Sequence, residues 1–117
     1  MSVFFRRRGE PPATTIAVTI TGSGDSSKCY AIINGTKQYS AGTHEVNAGD
    51  TITFGVFGRS SSSPGTVTID GTEALRVTNR STETYNWTVP SGTSTIEIAM
   101  KFSSSGARVG SITVTTA

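Results

Sequence analysis

The chain has 117 residues, enough for one domain with a hydrophobic core of its own. Its formal net charge of +2 comes from 10 basic and 8 acidic residues, and residues 1–10 carry the whole excess with three arginines and one glutamate. A nucleic-acid-binding domain usually spreads its basic residues over a face, so a nucleic-acid partner is not expected. No apolar run approaches the roughly 20 residues that span a bilayer, which also argues against a membrane partner.

The first twelve residues differ from everything that follows. Phe4 and Phe5 run directly into Arg6, Arg7 and Arg8, and Pro11 and Pro12 separate this arm from the rest of the chain. Apolar rings beside arginines suit a protein pocket lined by carboxylates. We therefore predict an N-terminal arm and linker (1–12) that binds a partner, with a folded domain over 13–117. Whether the arm docks on its own domain or on a neighbour is left open by the sequence.

The composition predicts an all-β domain. Valine and isoleucine occur nine times each and leucine once, and β-branched residues favour strands. Residues 14–21 alternate, with Ile16, Val18 and Ile20 on one face. A strand over 28–34 is followed by Asn34-Gly35, a type I′ hairpin signal, and by a returning strand over 36–40. A short strand near residues 44–46 comes next.

The second half of the chain continues the alternation, and the apolar residues predicted to face inward are Ile52, Phe54 and Val56, then Ile96, Ile98, Met100 and Phe102, and finally Ile112 and Val114. Strands are predicted over 51–57, 66–70, 73–78, 83–89, 94–102 and 109–115, with Asp70-Gly71 as a second hairpin turn. Tyr85 and Trp87 are the largest candidates for the core, and truncating a buried Trp87 to alanine would cost about 3–5 kcal/mol. Eight or nine short strands with one apolar face each predict an immunoglobulin-like antiparallel β-sandwich. A jelly roll or a small barrel is the alternative.

No arrangement of residues indicates catalysis or a cofactor. The single histidine, His44, lies in a predicted turn or edge strand, and no serine has a nucleophile-elbow setting. Cys29 reads as a small buried residue at the start of a strand. Asp25, Asp50 and Asp70 each sit at a separate turn, without the spacing of a calcium loop. We expect no enzyme activity, no cofactor and no metal, although loop carboxylates leave a calcium site open.

Three aromatic residues could face solvent. Tyr30, Tyr39 and Phe57 lie where a carbohydrate could stack on them, although packing under neighbouring loops is the simpler explanation. The alternative function is therefore a carbohydrate- or cell-surface-binding module.

The opening Phe4-Phe5-Arg6-Arg7-Arg8-Gly9 resembles the N-terminal signature of small virion-associated proteins of tailed phages and prophages from gut Firmicutes. The stretches 48–54, 66–71 and 85–90 resemble immunoglobulin-like modules of phage structural proteins. The resemblance implies a non-enzymatic tail, appendage or capsid-decoration protein, present in several copies. Its partners would be other virion proteins or copies of itself, with host-surface glycans as a further contact. It also implies synthesis in the host cytoplasm, which agrees with the absence of a readable signal peptide.

Overall fold

The computed structural model describes residues 15–103 and 109–117, and the predicted arm lies outside them. The described residues form strands and no helix. In chain order the strands are β1 (Thr15–Ser23), β2 (Cys29–Ile33), β3 (Thr36–Gln38), β4 (Ser40–Asn47), β5 (Thr51–Gly58), β6 (Gly65–Ile69), β7 (Thr72–Val77), β8 (Ser81–Thr88), β9 (Thr95–Phe102) and β10 (Gly110–Thr116).

The strands form two sheets that pack face to face. The large sheet has six strands in the order β4-β1-β9-β10-β6-β7, and the small sheet has four in the order β3-β2-β5-β8. The prediction of an all-β sandwich of immunoglobulin-like character is confirmed. The large sheet is not purely antiparallel, because β1 runs parallel to β9 and β10 runs parallel to β6.

The core lies between the inner faces of the two sheets. Alternation along each strand places every second side chain there, as β1 shows with Ile16, Val18 and Ile20 almost fully buried. The same faces of the other central strands contribute Ile52, Phe54 and Val56 of β5, Ile96, Ile98 and Met100 of β9, and Ile112 and Val114 of β10. The inward faces predicted for these four strands are confirmed.

Both predicted hairpin turns are present. Asn34 and Gly35 have φ values of 54° and 80°, and Asp70 and Gly71 have values of 50° and 85°. A type I′ turn requires a positive φ at both central residues, which asparagine, aspartate and glycine accept at little cost. These two turns fix the pairing of β2 with β3 and of β6 with β7.

Two details of the prediction need correction. The strand expected near His44 is longer than predicted and forms β4. It belongs to the large sheet, whereas β3 belongs to the small sheet. Trp87 and Tyr85 are only half-buried, and the largest fully buried side chain is Phe54. The reason is the place of β8 at the edge of the small sheet, where its inner face meets the margin of the core. The Trp87 ring packs there against Phe54, with 6.2 Å between ring centroids and 39° between ring planes.

This packing predicts unequal costs of truncation. Phe54→Ala should lower the free energy of unfolding by about 3–5 kcal/mol, because it leaves a cavity in the middle of the core. Trp87→Ala should cost less, since the half-exposed ring lies at the margin and water can fill the space. Urea unfolding followed by far-ultraviolet circular dichroism measures both variants. An equal or larger loss for Trp87→Ala would contradict this placement of the core.

Candidate functional site

The two ends of the sandwich differ. Thr15, the first described residue, starts β1 at the end that also holds Ala117, whose backbone N–H donates to Thr95 O at 3.0 Å. We call this the arm end. The two hairpin turns and the connections 48–50 and 89–94 also lie there, as the strand directions require. The opposite end, which we call the loop end, carries the connections 24–28, 59–64 and 78–80, and β9 ends and β10 begins there.

The predicted partner-binding residues Phe4, Phe5, Arg6, Arg7 and Arg8 lie outside the described residues. The structure fixes only the place from which they extend, which is the arm end at Thr15. Their role stays a prediction.

The three aromatic residues of the predicted ligand surface differ in exposure. Tyr30 is 9% exposed and lies on the outer face of the small sheet, opposite Gly55 of β5. A Cβ atom at Gly55 would overlap the Tyr30 ring, so the glycine lets the ring lie flat on the strand. The Lys37 Nζ stands 4.3 Å from the ring centroid on the other side. The expectation that Tyr30 faces solvent is therefore wrong, because Lys37 and the sheet cover the ring.

Phe57 repeats this arrangement on the same face. It is half-buried, with the Lys28 Nζ 4.5 Å from its ring centroid. Ammonium groups over aromatic faces gain about 0.5–1 kcal/mol at exposed sites. Tyr39, between β3 and β4, is the one large apolar residue of the described chain that is clearly exposed, at 44%. A ligand that stacked on Tyr30 or Phe57 would have to displace a lysine, so these two rings do not offer an open platform.

The Cys29 thiol is a core group. The residue starts β2, is fully buried and has its Sγ 3.9 Å from the carbonyl oxygens of Lys101 and Ser111. Burial raises the pKa of this thiol to about 11, which keeps it protonated at neutral pH. Because the thiolate is the nucleophile, this cysteine is unreactive in the folded chain. Its prediction as a buried residue at a strand start is confirmed.

The three aspartates stabilise separate turns. The Asp25 Oδ2 accepts hydrogen bonds from the Ser27 N–H (3.0 Å) and hydroxyl (2.8 Å) at the loop end. The Asp50 Oδ2 accepts one from the Asn47 N–H (2.9 Å) at the arm end. Among residues 15–103 and 109–117, no three histidine, cysteine, aspartate or glutamate side chains come together as metal ligands. His44, also considered above, is half-buried in the edge strand β4 opposite Val18.

Asp70 connects two distant parts of the chain, and sequence reasoning treated it only as a turn residue. Its Oδ1 accepts from the Thr116 N–H (2.8 Å) and its Oδ2 from the Thr116 hydroxyl (2.7 Å). The same residue's N–H donates to the Val114 carbonyl at 2.8 Å. Asp70 thereby holds the end of β10 against the β6–β7 turn. These donors lower the pKa of its carboxyl group, since they stabilise the charged form.

In the part of the chain that the structure describes, no helix has the length and apolar character to cross a membrane. Comparison with protein-family models, with curated proteins and with solved structures found no match to this chain. Function has to be argued from the residues and their geometry.

The Asp70 contacts predict a pH-dependent contribution to stability. Asp70→Asn keeps a residue that accepts the positive φ but loses the charged acceptor for Thr116, so it should lower the free energy of unfolding at pH 7. A carboxyl group whose folded pKa is depressed stabilises the fold above its unfolded pKa, and this is lost as the pH falls through the folded pKa.

The difference in free energy of unfolding between wild type and Asp70→Asn should therefore shrink as the pH falls below about 4. Urea unfolding at a series of pH values measures it. A difference that stays constant down to pH 2 would show that the carboxylate charge contributes nothing.

Proposed function

We propose that this protein is a non-enzymatic structural component of a phage virion, a tail, appendage or capsid-decoration protein. Residues 1–12 would anchor it to the particle and the β-sandwich would be displayed. The observation that carries this proposal is the separation of the two ends, because β1, which follows the arm in the chain, begins at one end of the sandwich and most of the longer described loops lie at the other. A module held at its arm end presents its loop end outward.

The chemistry of the two parts supports this division. Residues 11–117 hold seven basic and seven acidic residues, so their formal net charge is zero once residues 1–10 are set aside. Long-range attraction to a docking site would therefore come from Arg6, Arg7 and Arg8. Guanidinium groups bind carboxylates in a bidentate geometry, and such contacts also orient the bound segment. Phe4 and Phe5 would add burial of apolar surface in the same pocket.

The surface of the body suits display. The connection 59–64 at the loop end contains four consecutive serines, and Ser60 and Ser63 bond each other through their backbones. Outward positions of the large sheet hold threonines, such as Thr19 opposite Thr43 and Thr68 beside Thr113. Small hydroxyl side chains on both sheets keep the exposed surface polar, as a displayed domain requires.

Deletion of residues 1–10 tests the anchor. We expect the shortened chain to fold with an unchanged unfolding midpoint, because the core begins at β1. The fluorescence of the single tryptophan, Trp87, reports this unfolding. Incorporation into purified particles should be lost. Two further variants separate the contributions: alanine at Phe4 and Phe5, and glutamine at the three arginines. The first should weaken binding at every salt concentration and the second chiefly at low salt. Unchanged incorporation of the shortened chain would refute the anchoring role.

A further inference from the structure

The edge strand β8 differs from the other sheet edges of the described chain. Natural proteins protect strand edges with charged side chains, irregular pairing or very short strands. The small sheet's other edge, β3, has only three residues. In the large sheet, the edge strand β7 carries the Arg76–Glu73 ion pair (3.3 Å) and has a register shift against β6. The other edge strand, β4, has a register shift against β1. By contrast, β8 pairs with β5 over eight residues without interruption, and Glu83 is its only charged residue.

The hydrogen bonds at both ends of the small sheet reveal which backbone groups of β8 are free. The Val89 N–H donates to Asp50 O and the Gly49 N–H donates to Val89 O, both at 2.8 Å, so the Val89 backbone faces β5. Backbone groups alternate in direction along a strand. The N–H and C=O groups of Tyr85 and Trp87 therefore also face β5. Those of residues 82, 84, 86 and 88 point to the open edge.

The strand on the other side of the pair gives the same assignment. The Phe57 N–H donates to Lys28 O at 2.8 Å, so the odd-numbered residues of β5 face β2 and the even-numbered ones face β8. Phe54 accordingly pairs with Tyr85 across β5 and β8. No strand within 15–103 or 109–117 lies on the open side of β8. Four residues thus present unpaired donors and acceptors in one straight row.

The side chains at this edge leave apolar surface to be covered. Thr84, Asn86 and Thr88 are exposed on the outer face of the small sheet, while Tyr85 and Trp87 are half-buried on its inner face. Rings in this position lose the rest of their exposure when another strand continues the sheet. Aromatic cross-strand pairs stabilise such pairing.

We propose that β8 binds β8 of a second copy of this chain, antiparallel and about a two-fold axis that passes between the two Tyr85 residues. Thr84 would pair with Asn86, and Thr82 with Thr88, each pair exchanging both backbone hydrogen bonds. The two small sheets would become one continuous sheet. Such a contact is closed, since each copy uses the same strand, and it therefore forms a dimer and not a filament.

Only this register uses all the free groups. When the axis passes between the two Tyr85 residues, residue 82 pairs with 88 and residue 84 pairs with 86, so each free group meets another free group. A shift of the axis to Asn86 would set Thr82 against Pro90, which has no N–H to donate. A shift to Thr84 would set Thr88 against Arg80, outside the strand.

The charges agree with this register. With the axis at Tyr85, each Glu83 lies opposite Trp87 of the other copy and the two glutamates do not meet. An axis at Glu83 itself would place like charges directly opposite each other, which is destabilising. The copies would point in opposite directions, so their arms would leave from opposite ends of the dimer and the two loop ends would not both face away from one anchoring surface. The dimer is therefore proposed for the free chain, and it is argued from the folded domain alone and not from the proposed function.

Disulfide trapping of the full chain tests the register. In the proposed pair the two residues at position 85 form a non-hydrogen-bonded pair, with Cα atoms about 4.5 Å apart, within the range that a disulfide bridges. Tyr85→Cys should therefore give a covalent dimer under mild oxidation, with twice the 12.2 kDa mass of the chain. Glu83→Cys is the matched control on the same face, and it should give no covalent dimer because position 83 lies opposite Trp87 of the other copy. The buried Cys29 takes no part.

Removal of one edge donor tests the dimer itself. Light scattering should give the wild-type chain twice its monomer mass. Thr84→Pro removes an N–H that faces the open edge and leaves the ladder to β5 intact, so it should give a monomer with an unchanged circular dichroism spectrum. Thr84→Ala removes the same hydroxyl but keeps the N–H, and it should remain dimeric.

Four results would overturn the proposal. They are a wild-type chain that stays monomeric as its concentration is raised, a dimer that persists in folded Thr84→Pro, equal cross-linking at positions 83 and 85, and binding of an unrelated protein to β8 of a monomeric wild-type chain. If Thr84→Pro does not fold, the two cysteine variants decide the question.

Discussion

The structure depends on one constraint, the burial of alternate side chains of two sheets against each other. Successive residues of a strand point to opposite faces, so a register slip of one residue would move a whole apolar row into water. Phe54 lies fully buried on the inner face of β5, and β9 and β10 supply matching rows of isoleucine and valine from the large sheet. Threonine and serine fill many of the outward positions. The positions of the turns and of the sheet edges follow from this packing of two sheets, each with one buried face.

Polar residues then stabilise the turns and strand ends outside the core. Asp70 holds the end of β10 to the β6–β7 turn, and Asp25 and Asp50 each satisfy backbone donors where the chain reverses. Cys29 serves the core as an apolar group, since its raised pKa keeps the thiol neutral. These three aspartates and the cysteine thus act within the fold. The contacts that we propose therefore lie at the ends and edges of the domain: the arm that precedes β1 in the chain, the loop end, and the unpaired side of β8.

Local patterns predicted the parts of the fold that depend on neighbouring residues. The period of two predicted the inner faces of β1, β5, β9 and β10, and the Asn34-Gly35 and Asp70-Gly71 pairs predicted both hairpins. Strand order could not be predicted, because it is decided by contacts between distant segments. The transfer of the chain from β3 to the other sheet, the parallel pairing of β1 with β9, and the marginal position of Trp87 all follow from that order. The covered Tyr30 ring depends on Lys37 across the β2–β3 hairpin and on Gly55 of β5, and the pairing of β2 with β5 is not a local feature. The open edge of β8 is likewise visible only once the sheets are assembled.

Residue-resolved hydrogen exchange of the native chain tests the central constraint most directly. If the two sheets pack as described, the slowest amides should lie in β1, β9, β10 and β5, which have hydrogen-bonded strands on both sides and face the core. The amides of β3 and β7 should exchange much faster, because these strands lie at edges. Slow exchange concentrated in β3 and β7, or rapid exchange throughout β9 and β10, would contradict a core formed between these two sheets.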